Sequence, residues 1–305
     1  MEELYQGKIT RGVGGFYYVF VPATERMYEC RAKGIFHNDN IRPLVGDDVE
    51  IQIISQENAT GNIERILPRK SSLIRPAVAN VDQAMVIFSV KKPDLSLNLL
   101  DRMLIHIRQQ NLPVFICLNK SDLDEEKEGK RVAAAYEAAG YPLFCISALE
   151  DEDVERVRAC LKKKTTTVAG PSGVGKSTLI NRLQSSAHME TGEVSKKLSR
   201  GKHTTRHSQL LYIDQDSYIL DTPGFGSLDL FDLEKEDLAF YYDEFVPYKG
   251  ECRFTGCTHT HEPDCGVKAA LAQGKISAIR YETYRTLYEE LAGRQKKYEK
   301  ERSYK

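Results

Sequence analysis

The nine residues Gly170-Pro171-Ser172-Gly173-Val174-Gly175-Lys176-Ser177-Thr178 constrain this chain more than any other stretch. They fit G-x-x-x-x-G-K-[ST]. Before them runs Thr165-Thr166-Thr167-Val168-Ala169, a β-branched segment that reads as a buried strand, and after them Leu179-Ile180-Asn181-Arg182-Leu183, which reads as a helix. Strand, glycine-rich turn and helix in that order form a phosphate cradle. Glycines let backbone N–H groups converge on an anion, the helix N-terminus adds partial positive charge, Lys176 reaches the β/γ oxygens, and Ser177 offers a hydroxyl to Mg²⁺. The alternative is a Gly/Ser turn with a chance lysine, and the flanking strand and helix speak against it.

Length and charge limit what can surround this loop. With 305 residues, 41% of them hydrophobic, the chain can bury a sizeable core in two or three domains. No run approaches the roughly 18 apolar residues of a membrane span, and residues 1–6 lack an apolar leader, so a cytoplasmic protein with no membrane partner is expected. The net charge of −1 is unevenly spread: residues 161–210 carry ten Lys/Arg against two Asp/Glu, and residues 211–270 four against thirteen. Lys196, Lys197, Arg200, Lys202 and Arg206 exceed what one nucleotide needs, so a polyanionic partner fits there; a solvated loop is the plainer reading.

Residues 4–11, 15–21, 27–33, 47–54 and 61–66 read as five short strands separated by Gly, Asn and Asp turns. Five strands in so short a span suit an OB-like barrel, a fold that binds oligonucleotides on one face. Phe16, Tyr17, Tyr18, Arg26, Tyr28 and Arg31 are candidates for stacking and phosphate contacts; the alternative is that the aromatics are core and cross-strand packing, and alternation sends at least half of them inward. Residues 67–76 read as a linker. Beyond it the pattern changes to alternating strands (84–90, 114–118, 142–146) and helices (98–111, 131–139), which means an α/β domain.

The strand 114–118 ends in Asn119-Lys120-Ser121-Asp122. A carboxylate at Asp122 can accept from guanine N1–H and the 2-amino group. Adenine offers neither donor and would leave the anion unpaired, a penalty of roughly 1–3 kcal/mol or more. Lys120 can lie over the base and Asn119 can tie this turn to the phosphate loop. Ser147-Ala148, at the end of the next strand, places a backbone N–H where guanine O6 would sit. Downstream, Gly201-Lys202-His203-Thr204-Thr205 supplies a threonine hydroxyl, Thr205, to complete Mg²⁺ coordination and sense the γ-phosphate. The strand 218–220 then runs into Asp221-Thr222-Pro223-Gly224, with Asp221 on Mg²⁺ through water and the Gly224 N–H on the γ-phosphate. Near the C-terminus, Cys252-x₄-Cys257-x-His259-x₅-Cys265 gathers three thiolates and an imidazole, a set that favours structural, tetrahedral Zn²⁺ in a reducing compartment. Cys30, Cys117, Cys145 and Cys160 are scattered and read as reduced packing thiols. Residues 276–300 read as a charged helix whose Ile279, Tyr284, Leu287, Tyr288 and Leu291 pack on the zinc module, with an RNA contact through Lys296, Lys297 and Lys300 as the second reading.

N-K-x-D and S-A precede the phosphate loop here, whereas the threonine switch and D-x-x-G follow it. In that order the chain resembles the circularly permuted GTPases. With the barrel in front and the cysteine cluster behind, it is similar to the ribosome small-subunit-dependent branch of bacterial ribosome biogenesis factors. The resemblance covers the whole chain and implies a multidomain α/β fold: an OB-like RNA-binding β-barrel (1–68), a circularly permuted P-loop GTPase domain (69–230) and a C-terminal zinc-binding α-helical module (231–305). It also implies GTP hydrolysis with Mg²⁺, one zinc ion held by Cys252, Cys257, His259 and Cys265 rather than by His261, and late small-subunit maturation through contact with the 30S subunit and its 16S rRNA. A monomer is expected. The open alternative is a GTP-dependent binding module for another RNA or ribonucleoprotein.

One departure bears on mechanism. Where Ras-like GTPases carry a water-orienting glutamine after D-x-x-G, this chain has Phe225, so unaided hydrolysis is expected to be slow, on the order of 10⁻³ s⁻¹ or less. His203 is the candidate for positioning water once a partner orders the switch. An RNA contact or an idle loop histidine are its other readings.

Overall fold

The computed structural model describes residues 3–32, 42–73, 77–188, 209–214, 216–221 and 233–303, without the side chains of 73, 185–188, 221 and 295–303. His203, Thr205, Gly224 and the basic loop of 196–206 lie outside the described residues. Two compact units divide the chain. One comprises residues 1–85, 148–169 and 176–227, the other 86–147, 170–175 and 228–305.

In the first unit, β1 (Leu4–Val13), β2 (Phe16–Val21), β3 (Arg26–Ala32), β4 (Asp48–Ser55) and β5 (Thr60–Ile66) form the expected barrel. Hairpin pairing joins β1 to β2 and β2 to β3. The ring then runs through a parallel β3–β5 pair and antiparallel β5–β4, and β4 returns to β1 with Leu4 opposite Gln52 and Lys8 opposite Asp48. That last ladder closes the ring of the described strands. Alternation explains the interior: Ile9, Val19, Val21, Val49, Ile51 and Ile63 point inward and are fully buried. Tyr28 is among them, so the expectation that it stacks on a ligand is corrected: its ring is fully buried in the barrel core. Phe16 and Tyr18 remain on the outer side, with Arg31 4.8 Å over Phe16 and Arg11 3.9 Å over Tyr18.

The stretch expected as a linker is strapped down. Arg69 donates Nε and Nη2 to the fully buried carboxylate of Asp47 at 2.7 and 2.8 Å, and the Lys70 N–H donates to Asn80 Oδ1 at 2.8 Å. Here the short pair β6 (Ser72–Leu73) and β7 (Val78–Ala79) forms. β8 (Gln83–Ser89) follows, buried at every position, and runs from the first unit into the second.

The second unit holds α1 (Leu97–Gln109), β9 (Val114–Asn119), α2 (Glu128–Ala138) and β10 (Leu143–Cys145), with strand order β10-β9-β8. Ser96 caps α1, and both oxygens of Asp124 accept the first N–H groups of α2, from Glu128 and Gly129 at 2.9 Å. The chain then returns to the first unit for α3 (Asp151–Leu161), β11 (Thr165–Ala169), α4 (Lys176–His188), β12 (Gln209–Tyr212) and β13 (Tyr218–Asp221). β11 pairs parallel with β13, β13 antiparallel with β12, and β12 meets β1 at Gln209 opposite Arg11. Helix α3 was missed in the sequence, although its acidic first turn (Asp151, Glu152, Asp153) and the spacing of Val154, Val157 and Leu161 signal it.

The C-terminal part of the second unit is helical: 3-10 turns at Leu238–Tyr241 and Asp243–Glu251, then α5 (Gly266–Ala272) and the long α6 (Ala278–Ser303). Its core brings Tyr242, Phe245 and Val267 against Tyr284, Leu287 and Leu291 of α6. Among the described residues, no helix is long and apolar enough to cross a membrane.

Candidate nucleotide site and metal centre

The turn after β9 and the phosphate loop are held together by side-chain-to-backbone bonds. Asn119, 2% exposed, donates Nδ2 to the Val174 carbonyl at 2.8 Å. Lys120 has left-handed backbone, φ +63°, and donates Nζ to the Gly173 carbonyl at 2.8 Å and to the Lys92 carbonyl. Two glycines of the loop are required by this packing. Gly170, φ +148°, passes so close to the Ile87 carbonyl that a Cβ would overlap it, and a Cβ on Gly175, φ +95°, would meet the Asn119 amide.

The neighbouring turn is tied in as well: the Ser121 N–H donates to the Ile146 carbonyl at 3.1 Å and the Ile146 N–H to the Leu118 carbonyl at 2.9 Å. Ser147 and Ala148 follow, buried. Asp122 is exposed and forms no hydrogen bond or ion pair among the described residues, so its carboxylate is free for a ligand. Pro171, Ser172 and Gly173 complete the loop, Val174 is 1% exposed, and Lys176 opens α4 with Ser177 and Thr178 in its exposed first turn. A helix N-terminus carries partial positive charge and so attracts an anion. Parallel pairing carries β13 so that Asp221 ends on the same side as Ala169. The acceptor role of the Lys92 carbonyl escaped the sequence reading, since a backbone oxygen in a polar turn leaves no compositional trace.

The C-terminal cluster meets a geometric test. Donor atoms of Cys252, Cys257, His259 and Cys265 all lie within 4.8 Å of one another. A tetrahedral ion with Zn–S near 2.3 Å and Zn–N near 2.0–2.1 Å demands S···S edges of about 3.8 Å and S···N edges of about 3.5 Å. Cys252 Sγ lies 3.9 Å from Cys265 Sγ, and His259 Nδ1 lies 3.6 and 3.4 Å from those two sulfurs. The four residues fit a structural zinc ion. His261 is exposed and outside the set.

Burial pushes the Cys257 thiol up to about 12 and raises Cys265 too, so the thiolates that bind metal need its charge. The backbone around them is bonded to α6. Tyr281 and Tyr284 of α6 donate their hydroxyls to the carbonyls of His259 (2.8 Å) and Thr258 (2.6 Å), and Phe245 packs edge-on to the His259 ring at 5.9 Å. Burial alone would raise Glu262, but hydrogen bonds from the Thr258 hydroxyl and the N–H groups of Thr258, Glu262 and Thr260 hold it down to about 2.

Comparison with protein-family models places residues 6–63 in the RsgA N-terminal domain and residues 66–231 in the RsgA GTPase domain. The chain belongs to the RsgA GTPase family. Curated members of that family include the small ribosomal subunit biogenesis GTPase RsgA of Agathobacter rectalis, 52% identical over 299 residues, covering 95% of this chain and 99% of that protein. The protein of the same name from Alkaliphilus metalliredigens is 47% identical over 279 residues, 92% of this chain and 95% of its own length. Among solved structures, YjeQ from Thermotoga maritima superposes with TM-score 0.76 at 34% identity, covering 95% of this chain and 99% of that one. YloQ, described as a circularly permuted GTPase, gives TM-score 0.74 at 33% identity over 96% of both chains. Membership of the RsgA family makes the chain a GTP hydrolase of the permuted type, using Mg²⁺ with GTP, with a barrel in front and a metal-binding helical module behind.

Proposed function

We propose that this chain matures the small ribosomal subunit, docking on the 30S particle and its 16S rRNA with GTP bound and leaving after hydrolysis, as a cytoplasmic monomer. The names of its close relatives support the target. The observation that carries the reading is the pair of bonds from Asn119 and Lys120 to the Val174 and Gly173 carbonyls. They bind a guanine-type turn to a phosphate-type loop although the two stand in reversed order along the chain.

In this reading Asp122 accepts from the guanine edge, Ser121, Ser147 and Ala148 line the base, and Lys120 covers it. The backbone of Gly170, Pro171, Ser172, Gly173, Val174 and Gly175 wraps the phosphates, with Lys176 on the β/γ oxygens and Thr178 in the first helical turn. Ser177, Thr205 and Asp221 hold Mg²⁺, which neutralises charge on the β- and γ-phosphates when bound. Gly224 contacts the γ-phosphate, and His203 positions water in place of the glutamine that Phe225 displaces. The domain limits are 1–68, 69–230 and 231–305. Arg11–Tyr18 and Arg31–Phe16 on the outer barrel supply cation and ring surfaces suited to RNA.

GTP turnover measured with and without purified small subunits tests the proposal. Slow intrinsic turnover with marked stimulation by the small subunit, and none by large subunits or transfer RNA, is expected. Preference for ATP, or equal stimulation by any RNA, overturns it. His203→Ala turning over GTP at full stimulated rate removes that residue from the chemistry.

A further inference from the structure

A cavity of about 500 Å³ lies in the first unit, at the amino-terminal ends of β11 and β13, the end of β11 opposite the one from which the phosphate loop departs. Its size is that of a small-molecule site. It is lined by Lys8 and Asp48 of the barrel, by Lys70 and Asn80 of the strap, and by Lys163, Asp216 and Tyr218 next to β11 and β13.

Three features separate it from an ordinary crevice. Asn80, Lys163 and Asp216 all adopt left-handed backbone, with φ of +56°, +57° and +60°. Asparagine and aspartate tolerate that conformation, but lysine does so at a cost, and such strain collects at ligand clamps. The backbones that carry the two exposed lysines are also fixed: the Lys163 N–H donates to Ser217 Oγ at 3.0 Å and the Lys70 N–H to Asn80 Oδ1 at 2.8 Å. Their ammonium groups, and the Asp216 carboxylate, form no hydrogen bond or ion pair among the described residues, whereas Lys8 is taken by Asp48 at 2.6 Å. Lastly, Tyr218 is 2% exposed, yet its hydroxyl has no hydrogen-bond partner among the described residues. Burial, with Asp216, Tyr212 and Asp48 nearby, raises this phenol and keeps it a donor.

Two free ammonium groups suit a phosphate. A free carboxylate beside an unused hydroxyl suits vicinal sugar hydroxyls, and Pro22, Leu67 and Pro68 supply an apolar wall for a ring. We infer that this cavity binds one ribonucleoside monophosphate unit, with phosphate at Lys70 and Lys163, ribose at Asp216 and the Tyr218 hydroxyl, and base against Pro22 and Pro68. The unit comes either from a free nucleotide or from a single-stranded RNA. The inference is independent of what occupies the 170–178 loop.

The test is equilibrium binding of AMP and of a six-nucleotide oligoadenylate to the full chain, with GDP·Mg²⁺ at saturation so that the guanine site is filled. Saturable one-to-one binding is expected. Lys70→Gln with Lys163→Gln should weaken it about tenfold or more, and Tyr218→Phe several-fold. Tyr218→Phe should also leave thermal stability unchanged or raised, because the deleted hydroxyl has no partner to lose. Binding by AMP alone identifies the free nucleotide as the ligand, and binding only by the oligonucleotide identifies RNA. No saturable binding of either, equal competition by inorganic phosphate, or affinity unchanged in the lysine variant overturns the inference.

Discussion

Arg280 is the place where one substitution should do most damage away from the nucleotide. It is 2% exposed on α6 and pairs with Asp101 of α1, itself fully buried, and with Glu244 at 2.7 Å. Burial alone would lower its basicity, but Asp101 and Glu244 outweigh that and hold it charged. Its guanidinium also lies over the rings of Tyr242 (4.5 Å) and Tyr136 (4.8 Å). In Arg280→Met, Asp101 keeps three hydroxyl donors, from Tyr136, Tyr242 and Thr283. Glu244 is worse placed. Its Oε1 loses the Arg280 bond, and its buried Oε2 has no partner to begin with. A buried charge stripped of its partner costs about 3–5 kcal/mol, which at about 2–4 °C per kcal/mol lowers Tm by about 6–20 °C. Arg285→Met, on the same helix but in exposed pairs with Glu282 and Glu289, should cost about 0.5 kcal/mol or less. Adding Glu244→Gln to Arg280→Met should recover part of the loss. Calorimetry on the four chains decides: equal Tm for Arg280→Met and Arg285→Met, or no recovery in the double variant, refutes the reasoning.

Three further outcomes follow from the sites. Asp122→Asn replaces an acceptor by a group that can donate, so GTP affinity should fall roughly 10–100-fold while xanthosine triphosphate gains, read by nucleotide titration; unchanged GTP affinity refutes base recognition at this turn. Cys257→Ser should leave less than one zinc per chain by elemental analysis and expose residues 233–303 to protease, whereas full metal content with intact protection refutes the ligand set. Glu262 sits below its ordinary value of 4.5, at about 2, so its stabilising contribution is complete above about 4.5 and fades as pH falls toward 2. At matched free zinc, the stability gap between the native chain and Glu262→Gln should therefore close on acidification, and a gap constant from pH 7 to 3 contradicts the assignment.

The places where sequence reading succeeded share a property: the information was local. Barrel strands alternate Val49-Glu50-Ile51-Gln52, β8 is apolar from Ala84 to Phe88, the strand–turn–helix around 170–178 carries its glycines within six residues, and the four Cys/His residues that come together sit close enough in sequence that only turns separate them. Helix α3 was missed because its three core residues are diluted by eight polar or small ones. The linker reading of 67–76 failed because Arg69 looks like any surface arginine until Asp47 is seen buried beside it.

By itself, then, the sequence determined the order of its motifs, the Asn119–Asp122 turn, the glycine spacing of the 170–178 loop and the close-set Cys/His cluster, because each demands particular residue types at short fixed spacing. Tertiary structure alone decided the β4–β1 closure of the barrel, the Asn119–Val174 bond across 55 residues, the buried Asp101–Arg280 pair across 179, and the cavity between barrel and sheet. Those contacts join residues with no local signature, and only the closing of long loops against the entropy of the chain brings them within bonding distance.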